Sequence, residues 1–358
     1  MGLNQAELEY CRADKWHSAG FTGKGIKVGV YEASGSTVNK TITRFANIIV
    51  PPQFSYRVDN SRVNTHAHDV IDSLRFTAPD VEIHMLGNNY DENIQYCIDN
   101  KLDFINFSQN GYSYNPTSNG LEAKYVEAGG VPVCSAGNDG PGTLWGTPLK
   151  DNWLSVASAA WKQWQGVYQP IHSGFSSSEL SGTHLDVTGF GDLRVPDDSD
   201  GTTRGAVGTS FACPWVVGLL ACWRQWFKAK NNRNPTWQET FGFAVGNCTD
   251  MVDPSQNIGV GYEVMTGFGI LRLPEPPVES VKPVPTTPTP APNEASTKIV
   301  VKIGSTKATV DGKTVNLQYT PSLVSGHTVL GLRDIGQILG CDVRWDEATQ
   351  TVTLTKKL

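Results

Sequence analysis

One serine in this chain stands where a hydroxyl could act as a nucleophile. In Gly208-Thr209-Ser210-Phe211-Ala212-Cys213-Pro214-Trp215-Val216-Val217-Gly218, a turn of small residues opens a long apolar helix (Val216, Val217, Leu219, Leu220, Cys222, Trp223) and puts Ser210 at its start. A substrate can approach such a hydroxyl closely, and a helix N-terminus favours developing negative charge. Serine is also a favoured N-cap, so capping is the competing reading of Ser210 on this segment alone. Three earlier segments bear on the choice. Val28-Gly29-Val30-Tyr31-Glu32-Ala33-Ser34-Gly35 reads as a strand end, Asn64-Thr65-His66-Ala67-His68-Asp69-Val70 as a helix start, and Gly130-Val131-Pro132-Val133-Cys134-Ser135-Ala136-Gly137-Asn138-Asp139-Gly140 as a strand running into a turn. An acid, a base, an amide donor and a nucleophile, each at the end of an element, are the parts acyl transfer requires. In such a set the base removes the hydroxyl proton, the acid fixes the imidazole tautomer and stabilises its cation, and the amide stabilises the oxyanion.

The elements that must hold these residues follow from the apolar pattern. IKVGVY (26–31), VEIHML (81–86), LDFINF (102–107), VPVCSA (131–136) and WLSVAS (153–158) are short β-rich runs bounded by Gly, Asp or Pro, which reads as buried strands. Between them, 91–99 has Ile94, Cys97 and Ile98 at helical spacing, and 121–128 is a second helix. Strands alternating with helices predict an α/β fold, a parallel sheet with helices on both faces, whose active residues gather at the carboxyl edge of the strands.

Composition divides the chain. Eight of the 21 prolines fall between Pro274 and Pro292, in a stretch with few large apolar residues, and this predicts an extended, semi-rigid spacer. The expected domains are a body at 1–272, a Pro-rich linker at 273–297 and a small α+β module at 298–358. In the module, VVKI (300–303), ATV (308–310), KTVNL (313–317), DVRW (342–345) and TVTLT (351–355) read as strands. Asp311-Gly312 is a hairpin turn signal, and Leu332, Ile335, Ile338 and Leu339 share a helix face before Gly340.

The net charge of −6, from 29 Lys and Arg against 35 Asp and Glu, argues against a protein built to grip nucleic acid. A hydrophobic content of 39% supports a sizeable core and excludes wholesale disorder. No apolar run approaches the roughly 18 residues of a membrane span. The seven cysteines (11, 97, 134, 213, 222, 248 and 341) are odd in number and scattered singly, which fits reduced thiols rather than a disulfide framework or a zinc site. The opening MGLNQAELEY lacks a signal-peptide pattern, so a cytoplasmic location or release by lysis is expected rather than classical secretion.

The body, over roughly residues 15 to 270, resembles the subtilisin-like serine peptidases, the subtilase family. GTSFACPWVVG is similar to the family's GTS-x-A-x-P nucleophile motif, SAGNDG to its AAGN oxyanion motif, and INFSQNG (105–111) to its substrate-binding strand. The order of acid, base, amide and serine also matches. The resemblance implies a serine endopeptidase acting on protein or peptide substrates through an acyl-enzyme, with no cofactor. Ser210 is then the nucleophile, His66 the general base, and Asn138 the amide donor to the oxyanion beside the Ser210 backbone N–H. Loss of such an amide, as established on a subtilisin, raises the barrier by roughly 2.7–4 kcal/mol. Ser108, Gln109 and Gly111 border the cleft, where an extended peptide would pair as an added strand.

Two departures stand out. Glu32 occupies the place of the family's Asp, so its extra methylene requires the strand end or the imidazole to shift; the added residue in Glu-Ala-Ser-Gly fits such an adjustment. A solvated Glu32 in a degenerate site, used for binding or structure, is the alternative. The family's His-Gly-Thr-His-Val becomes His66-Ala67-His68-Asp69-Val70, so two histidines compete. His66 is preferred because Asn-Thr precedes it as in the family; His68 is otherwise an exposed first-turn residue. Cys213, three residues after Ser210, occupies a small structural slot, and Trp215 is read as packing. The acidic run Asp197, Asp198, Asp200 matches no calcium ligand pattern and reads as a solvated loop, so no metal is expected. An esterase or amidase on small substrates would use the same residues. Glu32 lies so near Met1 that no large N-terminal propeptide is expected.

Residues 298–357 resemble the copper amine oxidase N-terminal-like domain, on VKIGSTKATVDGKTVNL and HTVLGLRDIGQILGCDVRWDEATQTVTL. No copper site follows, since the segment lacks a histidine cluster. The resemblance implies an appended module that binds a surface or protein partner, an expectation at odds with the absent signal peptide.

Overall fold

The structure is a computed structural model of the 358-residue chain. It describes residues 2–109, 116–164, 166–252 and 258–277, and in the C-terminal part 299–302, 305–310, 313–318, 320, 322–324, 327–329, 331, 334–336, 339, 341–346 and 351–356. The chain divides into two compact units, Met1–Ser280 and Val281–Leu358.

The first unit opens with two short helices, α1 (Gln5–Tyr10) and α2 (Ala13–Ser18), and then runs β1 (Lys27–Tyr31), α3 (His66–Thr77), β2 (Glu82–Met85), α4 (Tyr90–Asp99), β3 (Phe104–Phe107), α5 (Pro116–Glu127) and β4 (Val131–Ser135). It continues with β5 (Leu154–Trp164), β6 (Val167–His172), β7 (Val187–Phe190), the hairpin β8 (Asp192–Pro196) and β9 (Thr203–Val207), α6 (Thr209–Asn231), α7 (Trp237–Gly246), β10 (Cys248–Thr249) and β11 (Ile270–Leu271). The main sheet has the order β10-β11-β7-β5-β4-β3-β1-β2, with β6 paired to β5 off this path. Every pairing from β2 across to β11 is parallel, while β10 at one edge and β6, paired to the C-terminal half of the interior strand β5, are antiparallel additions.

Alternation along the strands assigns the helices to faces. Val28, Val30, Phe104, Val131 and Val133 belong to one buried cluster with Val70, Ile71 and Leu74 of α3 and Val216, Leu219 and Leu220 of α6. Tyr31, Ile105, Phe107 and Cys134, on the intervening positions, join a second cluster with Ile94 and Cys97 of α4 and Tyr125 of α5. Successive side chains of a strand point to opposite faces, so the helices cover the sheet on both sides and the strands read as continuous apolar runs. This is the expected α/β fold. The five strands read from the sequence are present, with β5 longer than its predicted run; the strands after residue 164 and helix α7 carry weaker patterns.

The body closes on itself beyond its last strand. Leu273 N–H donates to Cys11 O at 3.1 Å, Trp16 Nε1 donates to Pro274 O at 2.8 Å, and Lys15 pairs with Glu275 at 2.9 Å. Residues 273–275, expected at the start of the linker, are thus held by the N-terminal helices, and Leu273 is fully buried. Residues 278–298, most of the Pro-rich stretch, lie outside the described residues.

In the second unit, β12 (Ile299–Val301), β13 (Lys307–Val310) and β14 (Lys313–Asn316) form an antiparallel sheet, while β15 (Ser322–Val324) pairs with β16 (His327–Val329) and β17 (Cys341–Asp346) with β18 (Thr351–Lys356). The β15–β16 pair was not anticipated. Asp311, Gly312, Leu332, Ile338 and Gly340 lie outside the described residues, and Leu339, read on one helix face with Leu332, Ile335 and Ile338, is exposed.

Candidate active site

Parallel strands end together, so Glu32 after β1, Ser108 after β3 and Asn138 just beyond β4 arrive at one edge of the sheet. The two helices that carry the remaining residues are locked to each other. Ser73 Oγ of α3 donates to Phe211 O of α6 at 2.7 Å, and Thr77 Oγ1 donates to Trp215 O at 3.0 Å. Gly218 permits this approach, because a Cβ there would fall 1.9 Å from Thr77 Oγ1. His66 and Ser210, at the starts of α3 and α6, are brought to the same edge.

The start of α3 is fixed from two directions. Thr65 caps it, accepting from His68 N–H at 3.3 Å, while its own hydroxyl donates to Thr37 O at 2.6 Å. Ser36 Oγ accepts from Ala67 N–H at 2.9 Å, so the loop that follows Glu32 is bonded to the turn that bears His66. His66 Nδ1 lies 2.5 Å from Glu32 Oε2. Glu32 is wholly buried and the His66 side chain is 40% exposed, so the pair has one face inside the protein and one toward solvent. Burial works against the imidazolium, but the charge and hydrogen bond of Glu32, with Asp69 further off, outweigh it and raise the His66 pKa above its ordinary value.

His68 is not an exposed first-turn residue. It is fully buried, stacks on Phe45 with centroids 4.3 Å apart, and accepts from Asn39 N–H through Nε2 at 3.0 Å. Burial, together with Arg44 and Arg204, lowers its pKa to about 4 against the opposing charge of Asp198. It is a neutral core residue that ties α3 to the loop at residue 39.

Ser210 is half-buried, and its Oγ donates to Ser108 O at 3.2 Å. Among the described residues no hydrogen bond joins Ser210 and His66; the ring of Phe211, the residue after Ser210, lies 5.3 Å from that of His66 between centroids. The reciprocal bond runs from Ser108 Oγ to Ser210 O at 2.7 Å. Its cause is legible: Pro214 lies four residues along α6 and has no N–H to offer the Ser210 carbonyl, and the Ser108 hydroxyl takes that place. Ser210 does not cap the helix by its side chain, since Gly208 is the N-cap and no side-chain cap bond is made.

Asn138 is exposed, and its Oδ1 accepts from Thr209 N–H at 2.9 Å and from Thr209 Oγ1 at 3.0 Å. Two donors on the oxygen fix the amide so that Nδ2 is the atom left to donate outward. Gln109 is half-buried beside Ser108, and Gly111 lies outside the described residues. Cys213 is fully buried, and burial pushes its thiol pKa up, which makes it inert as a nucleophile. All seven cysteines are unpaired thiols.

The acidic loop is not simply solvated. Arg44 grips Asp198 through Nη2 at 2.7 Å and Asp72 through Nε at 2.9 Å, and Asn64 Nδ2 donates to Asp197 at 2.6 Å. Arg204 of β9 pairs with Asp69 of α3. The β8–β9 hairpin is therefore clamped over the turn that precedes His66. Sequence spacing held no signal for the partners in the hairpin, since Asp197, Asp198 and Arg204 lie more than 130 residues along the chain from Asn64, Arg44 and Asp69.

The subtilase family model matches residues 63–257, more than half of the chain. The chain belongs to the subtilase family. The matched segment includes His66, Ser108, Asn138 and Ser210, while Glu32 lies ahead of it. Among curated subtilases, subtilisin E of Bacillus subtilis (strain 168) and subtilisin J of Geobacillus stearothermophilus are each 26% identical over 251 residues, 64% of this chain and 61% of theirs. The chain thus spans less than two thirds of the length of these relatives; for the subtilisin of Bacillus pumilus, at the same identity, the share is 85%. Solved structures of similar fold include a lanthipeptide protease (TM-score 0.56, 16% identity, 74% of this chain and 92% of that one) and the prenylagaramide maturation protease PagA (TM-score 0.57, 17% identity, 73% and 95%). Beyond the subtilase body, residues 280–354 match the copper amine oxidase N-terminal domain. That segment holds one histidine, His327, and one cysteine, Cys341, a donor set that does not fit a copper site.

Proposed function

We propose that the protein is a serine endopeptidase that cleaves peptide bonds through an acyl-enzyme on Ser210. The observation that carries this reading is the 2.5 Å contact of His66 Nδ1 with the buried Glu32 carboxylate, on the sheet edge that also holds Ser210. Glu32 accepts a hydrogen bond from Nδ1–H, which leaves Nε2 as the basic nitrogen facing the cleft. His66 removes the Ser210 proton as Oγ attacks the scissile carbonyl, and returns it to the leaving amine. Asn138 Nδ2 and the Ser210 backbone N–H stabilise the oxyanion. Water then attacks the acyl-enzyme with His66 again as base.

The bond from Ser210 Oγ to Ser108 O belongs to the resting site. A substrate lying as an added strand beside Ser108 and Gln109 brings its own N–H to Ser108 O, and the serine hydroxyl is released to turn toward His66. The same bond favours a second reading, a binding protein on a subtilase scaffold, in which Ser210 is held permanently away from the base. Fluorophosphonate labelling separates the two. The peptidase reading expects covalent labelling of the wild type that Ser210→Ala abolishes, with digestion of casein following the same pattern; a folded wild type that is neither labelled nor proteolytic refutes it.

The module at 298–358 would tether the peptidase to a surface or protein target. Truncation after Ser280 is then expected to spare cleavage of a short soluble peptide.

A further inference from the structure

Arg57 sends all five of its N–H donors to main-chain carbonyls. Nε donates to Leu86 O at 2.9 Å, Nη1 to Ala33 O at 2.6 Å and Ser36 O at 2.9 Å, and Nη2 to Glu32 O at 2.5 Å and Gly87 O at 2.9 Å. A guanidinium has five such hydrogens, so none is left over. Three of the acceptors follow β1 and two follow β2. The backbone of Arg57 adds a sixth link, its carbonyl accepting from Val38 N–H at 2.8 Å. The side chain is 1% exposed, and among the described residues no carboxylate is bonded to it.

Two problems of the site meet at this residue. A glutamate carboxylate reaches one methylene further than an aspartate, so its main chain must be held at a set position for Oε2 to meet His66. Glu32 is also wholly buried, with His66 as its hydrogen-bonding partner and with Oε1 unpartnered. A buried carboxylate is costly without a counter-charge. The Arg57 guanidinium is bonded to the main-chain oxygen of that same residue.

We propose that Arg57 is the positioning residue of the Glu32–His66 pair, fixing the main chain from which the longer acid projects and placing a positive charge beside the buried carboxylate. The proposal rests on the reading of Glu32 and His66 as acid and base. Among the described residues, Asp69 also acts on His66 and is itself bonded by Arg204, the buried Cys213 thiol senses the Glu32 charge, and Tyr31 and Tyr56 act on Arg57.

The charge and the donors of Arg57 can be removed separately. Lysine keeps the charge but offers three donors to five carbonyls; methionine and glutamine remove the charge. Taking away a positive charge eases proton uptake by the pair whichever member receives the proton, so its apparent pKa rises. In Arg57→Met or Arg57→Gln, whichever folds by far-UV circular dichroism, the acid limb of kcat/KM is expected to move up by about one to two pH units, the scale of one charge within roughly 10 Å at an effective dielectric near 20. The same shift is expected in the His66 resonance of ¹⁵N-labelled protein, assigned by its loss in His66→Gln. In Arg57→Lys the titration is expected to stay within about 0.3 unit while kcat falls at least about tenfold and KM stays near wild type, the signature of a displaced pair rather than a lost binding contact. An unshifted His66 titration in a folded charge-free variant overturns the charge role, and wild-type kcat in Arg57→Lys overturns the positioning role. Unfolding of all three variants would mark Arg57 as a residue of folding alone and also overturn the proposal. Absence of fluorophosphonate labelling in the wild type would instead count against the peptidase reading, and the resonance titration reads the pair without turnover.

Discussion

Replacing Glu32 by Asp would restore the family's usual acid, and the geometry predicts that it impairs this protein. The substitution withdraws the carboxylate by one carbon–carbon bond, about 1.5 Å. The Nδ1 to oxygen distance of 2.5 Å would open to roughly 4 Å, beyond hydrogen-bonding reach. The backbone cannot readily follow, because Glu32 O, Ala33 O and Ser36 O are held by Arg57. A hydrogen bond to a charged group contributes about 1.5–3 kcal/mol, and at 1.36 kcal/mol per decade its loss from the transition state lowers kcat/KM by about 10- to 150-fold. KM is expected to change little, since the acid touches no substrate. Glu32→Gln keeps the length and removes the charge; it should cost more, on the order of 10³- to 10⁴-fold. Its acid limb should also move to lower pH, because His66 works as a base only when neutral and the Glu32 charge is what raises its pKa. The assay is hydrolysis of a fluorogenic peptide across pH 5–9, with active sites counted by fluorophosphonate. An Asp variant at or above half of wild-type kcat/KM would refute the reasoning, since it would show that the main chain adjusts to either acid.

Three further outcomes are expected. His68→Ala should lower Tm by several degrees while the fluorophosphonate labelling rate of the folded protein stays within a few-fold of wild type, whereas His66→Ala should lose at least about 10³-fold in rate with little change in Tm; the opposite pattern would transfer the base to His68. Ser108→Ala strands the Ser210 carbonyl that Pro214 leaves without an N–H, at about 1–3 kcal/mol of stability, and Pro214→Ala in the same chain should recover part of it, which a double-mutant cycle by urea denaturation measures. Asp186 is buried with a pKa pushed up to about 7, burial outweighing the hydrogen bonds from Ser155 and the charge of His184. The folded state then keeps a proton that the unfolded chain releases near pH 4, so stability falls as pH rises from about 4 to about 7 and is level above. Asp186→Asn can still accept from Ser155 N–H and should gain Tm over wild type at pH 8 more than at pH 4.5 by calorimetry.

Much of the site is written locally. Short β-branched runs between Gly and Asp specify buried parallel strands, and the ends of such strands are where polar residues can reach a ligand, so Glu32 and Asn138 could be picked out from position and type, while Ser108 was marked only by the resemblance of INFSQNG to the family's substrate-binding strand. The small-residue turn into an apolar helix likewise marks Ser210. The late strands were harder: β8 and β9 alternate buried and exposed positions in a run broken by polar and glycine residues, and β10 and β11 are two residues each, below any periodic signal.

What the sequence by itself determined was therefore the order of the chemical groups and the kind of sheet that gathers them, because hydrophobic period and turn chemistry act within a few residues. Which histidine meets the acid was decided by the tertiary structure. His66 and His68 differ by two positions on one helix, about 200° of rotation, and the packing of α3 against the sheet turns the first toward Glu32 and the second onto Phe45. The clamp of Arg57 on Glu32, the grip of Arg44 on Asp198 and the exchange of Ser108 with Pro214 are likewise long-range. Each of them satisfies a buried polar group whose partner is fixed by where the folded chain places it, and no spacing along the sequence encodes that meeting.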